Sequence, residues 1–258
     1  MGLLDIFGKG PLSEKKIDKI AKLAANPFAQ PDVRMKELQR LLNEGTPAAI
    51  RGALKRFAAN ASGGIADEEE KAWLEDSVVD IGGPAVEPLR AFIQTETQLT
   101  YALRAYRRIT GDAEAVRLFI ETLRAYGPDD YRSGDAKVQL VLQLAEDLKD
   151  PRVLAALSDF LLDHSDEVRW AVMDLVDKAA DVGLLGDDVF RSVAAKLGVM
   201  VLEDDVGPRI QQRAAEILAN REWQIDGDKT ELAVFLDDIF FLDKKRFVRR
   251  RAKTVKKD

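Results

Sequence analysis

Asp150-Pro-Arg-Val153-Leu-Ala-Ala-Leu157-Ser-Asp-Phe160-Leu161-Leu-Asp-His-Ser165-Asp166-Glu-Val168-Arg169 holds the unit from which this chain is built. A turn proline precedes a β-branched residue and a short helix whose apolar stripe is Val153, Leu157, Phe160 and Leu161. A polar break follows, then a second helix striped at Val168, Val172, Leu175 and Ala179. Apolar residues at i, i+3 and i+4 mark a helix with one buried face. Ser165 or Asp166 is placed to cap the second helix.

The same order recurs along the chain. Gly45-Thr-Pro47 leads to Ile50, Leu54 and Phe57, and Gly82-Gly-Pro84 to Val86, Leu89, Phe92 and Ile93. Gly111 leads to Val116, Phe119, Ile120 and Leu123, and Gly186 to Val189, Val193 and Leu197. The anchors Ile50, Val86, Val116, Val153 and Val189 stand 36, 30, 37 and 36 residues apart. Each anchor helix (A) is followed by a B helix, with stripes at Val33/Leu38/Leu41, Leu74/Val78/Ile81, Leu99/Leu103/Tyr106, Val138/Leu142/Leu148, Val168/Val172/Leu175 and Ile210/Ala214/Ile217. One pair cannot bury its own stripe, whereas stacked pairs share a continuous core. The expected fold is all-α, an α-solenoid of stacked antiparallel helix pairs. Residues 1–11 read as an apolar N-terminal tip. Residues 12–241 read as about six pairs plus a last helix at 228–241, and residues 242–258 as a basic C-terminal tail. Phe240 to Arg250 reads equally as helix, extended chain or two short strands.

Ile81-Gly-Gly-Pro-Ala-Val-Glu-Pro-Leu89 resembles the bacterial HEAT-like repeat of the phycobilin-lyase (PBS-lyase) type. Asp150-Pro-Arg-Val153 with Asp166-Glu-Val-Arg169, and Asp32-Val-Arg34, are similar to its Asp-Pro turn and its Val-Arg opening of helix B. The likeness covers about residues 30–220. It thins at the Val116 repeat, which has no turn proline, and at Pro208 in the first turn of a B helix. The chain is also similar to bacterial HEAT-repeat proteins that open Met-Gly-Leu and end in a basic tail. The resemblance implies a fold and leaves activity open. Deoxyhypusine hydroxylases of this class hold two irons with several His-Glu pairs, and one histidine, His164, cannot supply them. HEAT-like DNA glycosylases use a basic cleft with Trp and Asp, and here Trp170 and Asp174 lie one helical turn apart. Phycobilin lyases share the repeat, though no residue here identifies a tetrapyrrole site. HEAT proteins in general act as scaffolds for other proteins.

Composition narrows the chemistry. The chain has 258 residues, 46% of them apolar, and no cysteine. Disulfide frameworks, cysteine–zinc sites and cysteine nucleophiles are excluded. His164 lies in a turn, and local spacing sets no serine or lysine nucleophile beside it. No metal or cofactor site is expected. Asp67 to Glu70 and Glu203 to Asp205 are acidic runs without a calcium-loop pattern, and acids in a first turn complement the helix dipole. No run approaches the ~20 apolar residues of a membrane span. The Met-Gly start lacks the basic opening and cleavage site of a signal peptide, so a cytoplasmic protein is expected.

Net charge is −6, unevenly spread: residues 244–258 carry nine Lys/Arg and one Asp, leaving about −14 on the remainder. An acidic body repels nucleic acid, so only the tail, with Lys244, Lys245, Arg246, Arg249, Arg250 and Arg251, could attract it. Two residues after each B-helix opener stand Met35, Trp73, Tyr101, Leu140, Trp170 and Gln212, a row expected to stack along the B face. Trp73, Tyr101 and Trp170, with Arg104, Arg108 and Arg169 beside them, are the residue types that dominate binding hot spots. Partial exposure of the three aromatics is required if they bind a partner. Arg34 and Arg169 are expected to bridge neighbouring repeats to acids. The long A-to-B connectors at 26–31, 60–66, 127–133 and 198–205 are candidates for binding or for tolerated length variation. The function expected is a non-enzymatic scaffold for a protein or peptide on the B-helix face. A nucleic-acid-binding or DNA-repair protein, and a pigment-type lyase, are the alternatives.

Overall fold

The computed structural model describes residues 12–252. Helices dominate: α1 (Glu14–Ala24), α2 (Pro31–Glu44), α3 (Pro47–Leu54), α4 (Gly64–Ile81), α5 (Val86–Thr95), α6 (Thr100–Thr110), α7 (Asp112–Tyr126), α8 (Gly134–Leu144), α9 (Pro151–Ser158), α10 (Asp166–Asp181), α11 (Asp187–Leu202) and α12 (Pro208–Arg221). One strand pair follows, β1 (Phe240–Leu242) and β2 (Val248–Arg250). The chain divides into two compact units, one ending at Thr122 and the other starting at Leu123. No helix among the described residues is long and apolar enough to cross a membrane.

Each unit is a short α-solenoid. In the first, the A helices α1, α3 and α5 pack in sequence, as do the B helices α2, α4 and α6. In the second, α9 packs on α11, and α8, α10 and α12 form the B layer. The anchors Ile50, Val116 and Val153 are buried, with Leu38, Leu41, Leu74, Leu103, Val168, Val172 and Ile210 facing them from the B helices. Gly52 lets α1 approach α3 closely: an added Cβ would stand 3.1 Å from the Ala21 Cβ. Local chemistry starts the helices where the turn prolines stand. Thr46 accepts from the Ala49 N–H, Asp150 from Arg152 and Ser165 from Val168. Asp67 and Glu70 do not open α4, which begins three residues earlier at Gly64; both side chains are buried instead.

A recurrent tie joins each long A-to-B connector to the stack. The fourth residue of α2, Arg34, donates to the Ala29 carbonyl, and that of α8, Lys137, donates to the Gly127 and Asp130 carbonyls. The fourth residue of α12, Gln211, reaches the Glu203 carbonyl at 2.7 Å, and that of α4, Asp67, accepts from the Ala61 N–H at 2.9 Å. All four are buried. The four bonds are part-buried, and a backbone group drawn away from water without a partner is costly.

The expected last helix at 228–241 is not formed. Val234–Leu236 is a single 3-10 turn, and the chain then enters an antiparallel hairpin pairing Phe240 with Arg250 and Leu242 with Val248. The hairpin therefore crosses the expected boundary between solenoid and tail at 241/242. Asp243 sets the turn, its carboxylate accepting from the Lys245 and Phe247 N–H groups. Ile225, Ala233, Leu236, Phe240 and Val248 are buried, while the proposed stripe residues Phe235 and Ile239 are exposed. The expected N-terminal tip, and the tail beyond residue 252, lie outside the described residues.

Lys137 and Asp163 form an ion pair at 2.6 Å with both side chains fully buried. Removing one partner strands the other's charge. Lys137→Met is expected to cost about 3–5 kcal/mol in urea unfolding. The K137M/D163L double variant should cost clearly less than the sum of the two single changes.

Candidate functional site

In the first unit, Tyr101 in the first turn of α6 and Trp73 in α4 are both half-buried, on B helices that pack together. Their exposure is what a binding role requires. Tyr101 lies flat on Phe57, with ring centroids 5.5 Å apart and planes 13° from parallel. On Tyr101 the Arg104 guanidinium sits 4.8 Å from the ring centroid. Burial pushes the Tyr101 hydroxyl above its ordinary pKa; the acids of α4 add to this and Arg104 opposes it.

Arg104 and Arg108 are committed within the chain. Both grip the buried carboxylate of Glu75, Arg104 through Nε at 3.0 Å and Arg108 at 3.1 Å, and Arg108 also holds Asp76 at 2.7 Å. They span α6 to α4 and hold the aromatic surface in place. A larger charged cluster lies between α2, α4 and the 3-10 turn Lys55–Ala58 that follows α3. Arg34 donates to Glu70 at 2.9 Å, Arg56 to both Glu70 and Asp67, and Lys71 pairs with Asp67 at 2.8 Å. Burial alone would raise the Asp67 pKa, but Lys71, Arg56 and the Ala61 N–H together hold it at about 2. The expected bridge from Arg34 to the next repeat is therefore present, over 36 residues. Arg56 and Glu70 were missed as members of this cluster. The signal for Glu70 was its spacing of 36 residues from Arg34, which matches the repeat period.

In the second unit, Trp170 is half-buried in α10. Arg169 does not bridge repeats: it turns back onto Asp166 of its own first turn, and its Nε is buried without a hydrogen-bond partner. The connector before α10, Asp163 to Ser165, is too short to offer Arg169 the carbonyls that Arg34 finds. The partner of Trp170 is Arg209, which the sequence reading passed over. Its guanidinium lies 4.2 Å from the centre of the indole. Asp166, Glu167, Trp170, Ala171, Arg209 and Ile210 line a cleft of about 260 Å³. The expected row is broken by Leu140, which is fully buried core, while Met35, Trp73, Tyr101, Trp170 and Gln212 are half-buried.

The remaining candidates are structural. His164 donates its backbone N–H to Pro128 and leaves its side chain exposed. Gly198 lies inside α11, so the last connector starts at Glu203. Among the described residues no group of three or more His, Asp or Glu stands where a metal could be held. The basic strip is folded rather than free through residue 252. Arg246 donates to the carbonyls of Ile225, Lys229 and Asp226, Arg249 to Glu222 and Asp243, and Arg251 to Asp237. Arg250 lies 3.9 Å from Glu216, and Lys244 and Lys245 are exposed at the turn.

No family model and no curated protein matches the chain. Among solved structures it is similar to human deoxyhypusine hydroxylase in complex with glycerol, at 17% identity, 80% of this chain and 84% of that chain, with a TM-score of 0.29.

Two outcomes follow from this chemistry. Asp67 has a folded pKa below its unfolded value near 3.9, so its stabilisation is complete above that range and is lost as pH falls towards about 2. Between pH 5 and pH 2, wild-type stability measured by circular dichroism in urea should fall more steeply than that of Asp67→Asn. Arg246 holds a left-handed backbone (φ 65°) in exchange for its three carbonyl bonds. Arg246→Ala should cost about 1.5–3 kcal/mol, typical for bonds from a charged donor. Hydrogen exchange at the Ile225 and Phe247 amides should accelerate.

Proposed function

We propose that this chain is a HEAT-like repeat protein that acts without catalysis, docking a protein or peptide on the B-helix face of its first unit. Trp73 and Tyr101 are the anchors; Arg104 and Arg108 hold the surface in shape. The observation that carries this reading is Tyr101. Its ring stacks on Phe57 and holds the Arg104 guanidinium 4.8 Å from its centroid, yet remains partly open to solvent. An aromatic ring already immobilised loses little conformational entropy on binding, so more of its buried area appears as affinity. Trp and Tyr are the residue types that concentrate interface energy.

The alternatives draw less support. A nucleic-acid reading relies on the basic strip, but Arg246, Arg249 and Arg251 already donate to the chain's own carbonyls and carboxylates. A lyase reading calls for an apolar pocket with a few converging polar groups, whereas charged side chains make up half of the lining of the cleft at Trp170.

Affinity capture followed by mass spectrometry tests the proposal, with wild type beside Trp73→Ala/Tyr101→Ala and beside Trp73→Ala alone. A hot-spot truncation costs about 2 kcal/mol or more, roughly a 30-fold loss of affinity. A specific prey should disappear with both variants while their melting temperatures show folded protein. Capture of every prey by the double variant at wild-type levels would falsify the docking site.

A further inference from the structure

The B helices use their arginines in pairs with acids. Arg34, Arg40, Arg104, Arg107, Arg108, Arg169, Arg213 and Arg221 each have a carboxylate within 4.0 Å. Arg209 is the exception among the described residues. It is exposed, and its contact is the face of Trp170. The two acids that share its cleft are taken. Asp166 is held by Arg169, and Glu167 accepts from the Ser165 hydroxyl at 2.9 Å. The charge of Arg209 reaches Glu167 and helps lower its pKa, after that residue's own backbone N–H and Ser165.

We infer that the cleft between the first turns of α10 and α12 receives the carboxylate of a single glutamate or aspartate side chain from a peptide segment that sets the acid beside an apolar residue. The guanidinium of Arg209 lies over the indole of Trp170, 4.2 Å from its centre, and its N–H groups have no carboxylate partner within the chain, which leaves them for an incoming acceptor. A planar fork of donors matches a carboxylate with two parallel hydrogen bonds. Ala171, Ile210 and the indole offer apolar surface for the residue beside the acid. Asp166 and Glu167 border the same cleft and repel a dianion, so one negative charge fits better than a phosphate. The site shares no residue with the Trp73–Tyr101 surface, so either can stand without the other.

Two immobilised libraries of acetylated, amidated hexapeptides test this, one with glutamate fixed at a central position and the other with glutamine. All other positions are random, and the blocked ends remove any terminal carboxylate. The full chain should be retained at least tenfold better on the glutamate library. Arg209→Gln should abolish that preference at an unchanged melting temperature, since Arg209 makes no ion pair in the fold. Trp170→Ala should weaken it, and Trp73→Ala/Tyr101→Ala should leave it intact. Equal retention on both libraries, or an undiminished preference in Arg209→Gln, overturns the assignment. So does displacement from the glutamate library by inorganic phosphate or a single-stranded oligonucleotide at lower concentration than by a soluble glutamate hexapeptide.

Discussion

The two units rest on one constraint: a connector running from an A helix to its B helix carries part-buried backbone groups that the helices cannot satisfy. The fourth residue of the B helix meets them. Arg34, Lys137 and Gln211 donate to connector carbonyls, and Asp67 accepts from a connector N–H. Three different chemistries at one structural position show that geometry, not residue identity, is what repeats. Where the connector is short the device is dropped. Leu103 fills the place in α6 and is buried apolar core, and Arg169 in α10 finds only its own helix. The tie is strongest where the side chain is charged, because Arg34 and Lys137 also pair with acids in the next repeat, Glu70 and Asp163. One side chain thus closes a loop and registers two helix pairs. Buried charges are poor sources of net stability but penalise any misaligned arrangement heavily, so their contribution falls on register.

Register decides what the B face can do. Tyr101, Trp170 and Arg209 all lie within the first five residues of their helices, and Arg209 stands at the tied end of α12. Trp73 lies farther along α4, beside Glu75, on which Arg104 and Arg108 converge. The proposed docking residues are held by contacts within each unit, Tyr101 against Phe57 and Trp170 beneath Arg209. Exposed ion pairs such as Arg108–Asp76 add little stability. Their physical effect is to hold long side chains in one conformation against the aromatic surface.

Much of this was legible in the residues because helix pairing obeys a local rule. The turn prolines Pro47, Pro84 and Pro151, the anchors after them and a period of about 36 residues mark out the A and B helices. The partial exposure of Trp73, Tyr101 and Trp170 followed from their offset from the stripe. Leu140 escaped that logic because exposure at a given offset also depends on which neighbour covers it. The hairpin escaped for a different reason. Leu232, Phe235, Leu236 and Ile239 have helical spacing, but among the described residues no helix follows α12 to pair with their stripe. The chain covers the last pair with Ile225, Phe240 and Val248 instead, drawn from three separated segments. Asp243, between the apolar triplet Phe240 to Leu242 and the pair Phe247-Val248, was the local sign of the turn. Arg209 was invisible because its distinguishing property, the lack of an acid, depends on where every carboxylate of the neighbouring helices ends up.

Arginine pairing on the B face also limits how a partner is recognised. Outside residues 244–258 the chain carries about −14, so its long-range field does not draw an acidic segment in. Attraction has to come from contacts shorter than the Debye length of roughly 8–10 Å. A stacked, unpaired guanidinium supplies such a contact, because its donors act at hydrogen-bond distance while distant carboxylates are screened by salt. A segment rich in acids would pay repulsion from the whole surface for each extra charge. A segment with one acid beside an apolar residue pays it once and gains both the fork of Arg209 and the indole of Trp170. The same acidic field disfavours nucleic acid at this face, where every phosphate adds repulsion and Arg209 is the single uncommitted B-helix arginine among the described residues. Selectivity at the cleft thus follows from the balance between one free cation and a surrounding surface of opposite charge.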